Sequence, residues 1–257
     1  YVYDLENNLK QIILKKSSAN FNNANHLTAV VYSSGSTDNT QLGYISGTTS
    51  TEYEQRYGLT HEVDVIFPKF VRPIDTFTRN FTRVSLFGLH SASSDTEGTT
   101  VYDPSIYVYA ERDAEYSKNI KFVLSSSLLS SEISSSTYLS VYDDEKWNLS
   151  ARLRPLRIGL TGSVAGAESG GYQIEFSGYN QRLGQIRNNF TVSASSNETN
   201  SKNLLSSPKR IFLGAHRTDI TGSVQYKSDV LISSTRFWTK YLDDDSLKQH
   251  AYDFENS

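Results

Sequence analysis

The chain has 257 residues, a formal net charge of −3 and neither cysteine nor methionine. That length can fill one large β-sandwich with a sizeable core, and the lack of cysteine excludes disulfides, thiolate metal sites and cysteine nucleophiles together. No basic run exceeds two residues, so there is no broad positive field for a phosphate backbone and no nucleic-acid partner is expected.

Residues 3–16 (YDLENNLKQIILKK) set Leu5, Leu9, Ile12 and Ile13 at helical spacing, with acids early and lysines late. This predicts a short amphipathic helix capping the fold, with residues 1–20 as helix and linker and 21–257 as the sandwich. Residues 17–58 are rich in Ser, Asn, Thr and Gly around one apolar run, Leu27 to Tyr32, and read as loops about a strand. Strand signals then recur at His61–Phe67, Thr82–His90, Ile106–Glu111, Ile120–Ser126 and Tyr138–Tyr142. They continue at Trp147–Leu153, Arg157–Gly162, Tyr172–Gly178, Asn189–Ser193, Arg210–Gly214 and Val230–Trp238. Many short strands at this spacing, in a chain with 17 Tyr and 12 Phe, predict an all-β sandwich or barrel.

After the last strand, Leu242 to Ala251 places three aspartates first and Lys248 and His250 last, the charge order of a short capped helix. No stretch approaches eighteen apolar residues and the start lacks a signal-peptide pattern, so no membrane insertion is expected. A chain that opens Tyr-Val-Tyr-Asp and has no methionine reads as a piece of a longer polypeptide.

The segments Lys209–Ala215, Ser228–Trp238 and Tyr241–Leu247 resemble the closing strands of laminin-G-like jelly rolls: a strand ending in Leu-Gly, then "acidic, apolar, x, apolar, x, x, Arg, x, aromatic", then a Leu-spaced helix start. Lys146-Trp-Asn-Leu-Ser-Ala-Arg-Leu153 and Tyr172–Gly178 resemble earlier strands of the same family, so the likeness spans about residues 138–253. It implies an antiparallel jelly-roll β-sandwich of the laminin-G or concanavalin-A-like kind. Together with the cysteine count and the Ser/Asn-rich loops, it is similar to domains in large structural proteins of tailed bacteriophages. This implies a virion or extracellular-surface location and other structural subunits as partners. The same fold hosts lectins, receptor-binding modules, glycanases and scaffolds, so the likeness alone assigns no function.

Read from the residues themselves, Trp147, Phe212, Leu213, Leu231, Phe237, Trp238 and Leu242 are core groups, each buried one contributing roughly 1.5–3 kcal/mol. Glu62-Val-Asp-Val-Ile-Phe67 is the nearest approach to a catalytic motif, because β-glucanases on this fold carry E-x-D-x-x-E or E-x-D-x-E on one strand. Here Ile66 or Phe67 stands where the second Glu belongs. Glu62 and Asp64 are therefore read as a solvated strand face, unless Glu175 on a neighbouring strand lies across from Glu62. On this ground no enzyme is expected, and a β-glucanase-like carbohydrate-active enzyme is the alternative.

Asp143, Asp144 and Glu145 could hold Ca²⁺ as some relatives do, but they lack the alternating spacing of a dedicated loop and also fit a solvated turn. Asp243 to Asp245 fit a helix start. The histidines 26, 61, 90, 216 and 250 form no chelating pair, and no Gly-x-Ser-x-Gly elbow or phosphate loop is present. Arg152, Arg154, Arg157, Arg182 and Arg187 read as a solvated face, with an acidic glycan or a partner as the alternative. Four glycosylation sequons begin at Asn80, Asn148, Asn189 and Asn197.

These readings converge on a structural or adhesive binding module, recognising a protein partner or surface glycan through loops at one end of the sandwich. The loops chosen are 91–104, 165–171 and 215–226, with Asp95, Glu97, Tyr102, Asp103, Glu168, Arg217 and Asp219 as the candidate ligand-binding residues. No cofactor beyond Ca²⁺ is implied. A purely architectural domain without a ligand is the further alternative.

Overall fold

The computed structural model describes residues 11–16, 27–32, 58–69, 82–91, 104–114, 116–156, 171–206, 209–214, 216–217, 224–225, 228–238 and 241–252. Its strands are β1 Gln11–Lys16, β2 Leu27–Tyr32, β3 Leu59–Phe67, β4 Arg83–Ser91, β5 Ser105–Arg112, β6 Ile120–Ser126 and β7 Ile133–Tyr138. They continue with β8 Glu145–Pro155, β9 Tyr172–Arg182, β10 Gln185–Ser196, β11 Lys209–Leu213, β12 His216–Arg217, β13 Val224–Gln225 and β14 Leu231–Trp238. Two helices, α1 Glu198–Ser206 and α2 Asp244–Tyr252, complete the described elements. A seven-stranded sheet in the order β1-β2-β11-β4-β5-β6-β7 faces a five-stranded one in the order β10-β9-β8-β3-β14, with β12 and β13 as a small hairpin. Every pairing is antiparallel, as the all-β jelly-roll reading requires.

Period-two alternation assigns the faces. Val63, Val65 and Phe67 of β3 and Trp147, Leu149, Ala151 and Leu153 of β8 point into the layer between the sheets, where they meet Val84, Leu89, Val108, Phe122 and Leu124. At its centre Phe122 lies 4.7 Å from Trp147 and stacks on Phe190 at 5.5 Å, while Phe176 meets Phe190 edge-on at 4.9 Å. Such pairs add about 0.5–1.5 kcal/mol each beyond the area they bury. Gly178 is required there, because a Cβ at this position would collide with the Phe190 ring.

Register and contacts also identify the two ends of the sandwich. The end of β10 meets the β6–β7 turn through Asn197 N–H to the Leu128 carbonyl (2.9 Å), so the end of β4, the start of β5, the end of β8 and the start of β9 share one end. The opposite end carries the turns at 113–119, 139–144 and 183–184 and the end of β11.

Several expectations are corrected. Residues 11–16 are not helical: they form β1, and Ile12 and Ile13 pair with Val31 and Val30 of β2. Non-local pairing of a β-branched run has overridden local helical spacing. The run Tyr138–Tyr142 is not a strand, since β7 ends at Tyr138 and the chain turns through Ser140 at φ 57°. Helix α1 was not foreseen; Asn197 caps it by accepting the Asn200 N–H at 2.9 Å. Leu231 is exposed rather than core, and Trp238 is only partly buried. The expected strand at 157–162 lies outside the described residues.

Candidate functional site

The outer face of the five-stranded sheet holds the largest gathering of buried polar chemistry among the described residues. Register lines up Glu62 with Ser150 and Ser150 with Ser177, and Asp64 with Asn148 and Asn148 with Tyr179, while Arg152 stands opposite Glu175. Because Val63, Val65 and Phe67 are needed inside, Glu62 and Asp64 must point outward. They are not solvated, however: both are 0% exposed, and the expected solvated strand face is corrected accordingly. Segment 241–252, containing α2, packs over this face through Leu242, Leu247 and Ala251 against Tyr179.

Glu62 is held by two groups from the C-terminal part of the chain. Trp238 donates its Nε1–H to Glu62 Oε2 at 2.8 Å, and His250 Nδ1 lies 2.8 Å from the same oxygen. The His250 ring stacks on Trp238 with centroids 5.4 Å apart and planes 16° from parallel. Asp64 accepts from Asn148 Nδ2 (2.9 Å) and the Ser234 hydroxyl (2.6 Å), with Lys146 and Arg236 at 3.4 and 3.6 Å.

Arg152, also 0% exposed, donates to the Leu242 carbonyl (2.9 Å) and the Ser177 hydroxyl (2.7 Å) and pairs with Asp244 (2.7 Å) and Glu175 (3.1 Å). Arg154 adds a second cation to Glu175 at 2.8 Å. The Tyr241 hydroxyl donates to Glu175 at 2.6 Å, and burial followed by that hydrogen bond pushes its pKa up to about 12. The arginine face expected to be solvated is therefore, at Arg152, a buried ion-pair network, which holds together only because several carboxylates and a carbonyl share the guanidinium. Arg157 lies outside the described residues.

Glu175 does not lie across from Glu62: Ser177 occupies that rank and Glu175 is two residues earlier in β9. Between Glu62 and Glu175 runs β8, and with the two-residue offset their backbones are about 12 Å apart, so the two carboxylates turn to different partners. Asn148, a sequon in the sequence, is buried on this face and is engaged by Asp64.

Asp95, Glu97, Tyr102, Asp103, Glu168 and Asp219 lie outside the described residues, while Arg217 belongs to β12 and pairs with Val224. β4 and β8 end and β5 and β9 begin at one end of the sandwich, whereas β11 ends at the other, so the strands that precede the three chosen loops do not all end on one rim.

Around the turn at 143–145 the carboxylates go to separate partners. Asp143 pairs with Lys118 (3.6 Å) and Lys69 (4.0 Å), Asp144 at φ 60° accepts the Lys69 backbone N–H (2.8 Å), and Glu145 faces Arg187 (3.9 Å). Burial raises the Glu145 pKa against the opposing pull of Arg187 and Arg182. A Ca²⁺ ion held by all three would have to displace these lysine contacts and turn the side chains inward. Among the described residues no three His, Cys, Asp or Glu side chains are grouped as metal ligands.

No family model and no curated protein matches the chain. Among solved structures, a Scytalido-glutamic peptidase bound to a peptide-based transition-state analogue is similar over 70% of this chain and 71% of its own, at 10% identity and a TM-score of 0.33. At those values the likeness carries no residue or reaction over to this chain. The expectation that the chain is not an enzyme is nonetheless corrected. It rests on the missing second carboxylate at Ile66 or Phe67, with Glu62 and Asp64 read as solvated; those two are fully buried, and the similar structure is that of an enzyme.

Proposed function

We propose that the chain is a recognition module of a larger virion or cell-surface assembly, binding a protein partner or a surface glycan through polar segments 91–104 and 165–171. One observation supports the reading: the strands that anchor both segments, β4 and β5 for one and β8 and β9 for the other, end and begin at the same end of the sandwich. The laminin-G-like pattern of residues 138–253 supports an assembly role, and Asp95, Glu97, Tyr102, Asp103 and Glu168 supply the hydrogen-bonding groups. Segment 215–226, with Arg217 and Asp219, belongs to a separate rim.

The test compares two variants of the whole chain. One replaces Asp95, Glu97, Tyr102, Asp103 and Glu168 by alanine; the other replaces Arg217 and Asp219. Binding is read on a surface-glycan array and by photo-crosslinking from position 97 or 219 within the intact assembly. Loss of at least tenfold in the first variant alone is expected. Equal binding by both variants, or crosslinks from 219 only, would overturn the proposal, and silence in both assays would favour a purely architectural domain. Product analysis of the same glycan incubations registers any turnover.

A further inference from the structure

The C-terminal helix is bound to the sheet in an unusual manner. A helix normally covers a sheet with an apolar stripe, but Leu242, Leu247 and Ala251 of segment 241–252 make only a small apolar cluster here, against Tyr179 with Ile186 and Trp238 packed beside it. Otherwise polar groups carry the attachment. Tyr241 bonds Glu175, Leu242 donates its N–H to Thr60 Oγ1 (3.0 Å) and its carbonyl accepts from Arg152, Asp244 pairs with Arg152, and His250 meets Glu62.

Beneath this cover the sheet face has hydrogen-bonding capacity to spare. Ser150 Oγ, in a residue 1% exposed, and Asn148 Oδ1, in a residue 2% exposed, have no partner, although register points both outward between Glu62, Asp64 and Ser177. Buried polar atoms are nearly always satisfied, so two orphans side by side mark a face built to bond something more than the helix supplies.

From these observations we infer that segment 241–252 is a lid, and that the face it covers takes a neutral, hydroxyl-rich ligand of the oligosaccharide class. Lifting the lid leaves the sheet's own pairs intact, since Arg152 keeps Glu175 and Ser177, Asp64 keeps Asn148, Ser234, Lys146 and Arg236, and Glu62 keeps Trp238. The apolar surface uncovered is that of the small cluster of Leu242, Leu247, Ala251 and Tyr179 with Ile186 and Trp238. The uncovered face interleaves carboxylates with arginine and lysine, so it favours neither a strong anion nor a strong cation. It offers donors and acceptors at strand spacing, with the Trp238 ring at its edge for stacking. This face is distinct from the rim segments, so the two proposals stand or fall separately.

The cysteine-free chain gives a clean test. In the variant Ser150→Cys the introduced thiol is the only one, and its labelling by a disulfide reagent reports exposure of the covered face. Labelling at least tenfold faster than global unfolding is expected, accelerated further by Leu247→Ala and slowed by millimolar cello-, xylo- or malto-oligosaccharide. Hydrogen exchange of the unsubstituted protein gives a second readout: amides of 244–252 should exchange by a smaller opening than those of 147–153. Labelling and exchange of the helix only at the rate of global unfolding would overturn the lid. Sub-global labelling that no oligosaccharide in the panel slows would overturn the ligand assignment.

Discussion

His61 shows how a single side chain links packing to pH. It sits on the inner face of β3, edge-on to Phe87 at 4.8 Å and beside Phe237, with the Thr235 hydroxyl (3.1 Å) as its polar partner among the described residues. Complete burial lowers its pKa to about 3 from the ordinary 6.5, so the folded state keeps it neutral. Between these values the unfolded chain binds the proton and the folded chain does not. Stability is therefore full above pH 6.5 and falls as pH drops towards 3, by up to about 1.4 kcal/mol per pH unit. We expect His61→Gln to lose less melting temperature between pH 7 and pH 4 than the parent protein. An equal loss in both would place the acid sensitivity in other groups.

Sequence alone could not have announced this histidine, although alternation placed it. In Leu59-Thr-His-Glu-Val-Asp-Val-Ile-Phe67 the inward positions are 59, 61, 63, 65 and 67, and all five are buried. What alternation cannot say is whether the other face meets solvent. Glu62, Asp64 and Arg152 carry the pattern of a wet face; Glu62 and Arg152 are dry because segment 241–252 comes back over them from about ninety residues or more away, and Asp64 because Asn148, Ser234, Lys146 and Arg236 close on it. The candidate site was thus missed for want of one long-range contact.

At the scale of elements, legibility followed how local the determining forces are. β2 and β6 fall on the boundaries expected from their apolar runs, and α2, at Asp244–Tyr252, lies within two residues of the expected 242–251. Local caps do much of that: Asp243 Oδ1 accepts the Ser246 N–H at 2.8 Å, satisfying one of the free donors of the first turn. By contrast, β1 is a strand only because β2 is beside it, and α1 is a polar nine-residue segment with little apolar periodicity to betray it. We predict that Asp243→Ala destabilises α2 by about 1 kcal/mol. The change should appear as faster amide exchange in 244–252 at unchanged exchange in β8; slowing or no change would show that the ion pair of Asp244 with Arg152, not the cap, fixes the helix start.

For the whole molecule, the order β1-β2-β11-β4 ties the beginning of the chain to its last third, since β2 pairs with β1 on one side and with β11 on the other. A division at residue 20 into linker and sandwich would cut this sheet between its two outermost strands. Removing residues 1–20 takes away β1 and leaves β2, with Leu27-Thr-Ala-Val-Val-Tyr32, as an unpaired edge. An edge strand this apolar, without lysine, proline or a bulge, is a template for pairing with another chain. The truncated protein is therefore expected to associate in a concentration-dependent way under size-exclusion chromatography with light scattering, and to melt below the parent. Replacing Val30 by Lys in the truncated chain should reduce that association, because a charge on the bare edge opposes pairing. A truncated protein that stays monomeric at the parent's melting temperature would mean that β1 adds nothing to the sheet and that the sandwich is complete from residue 21.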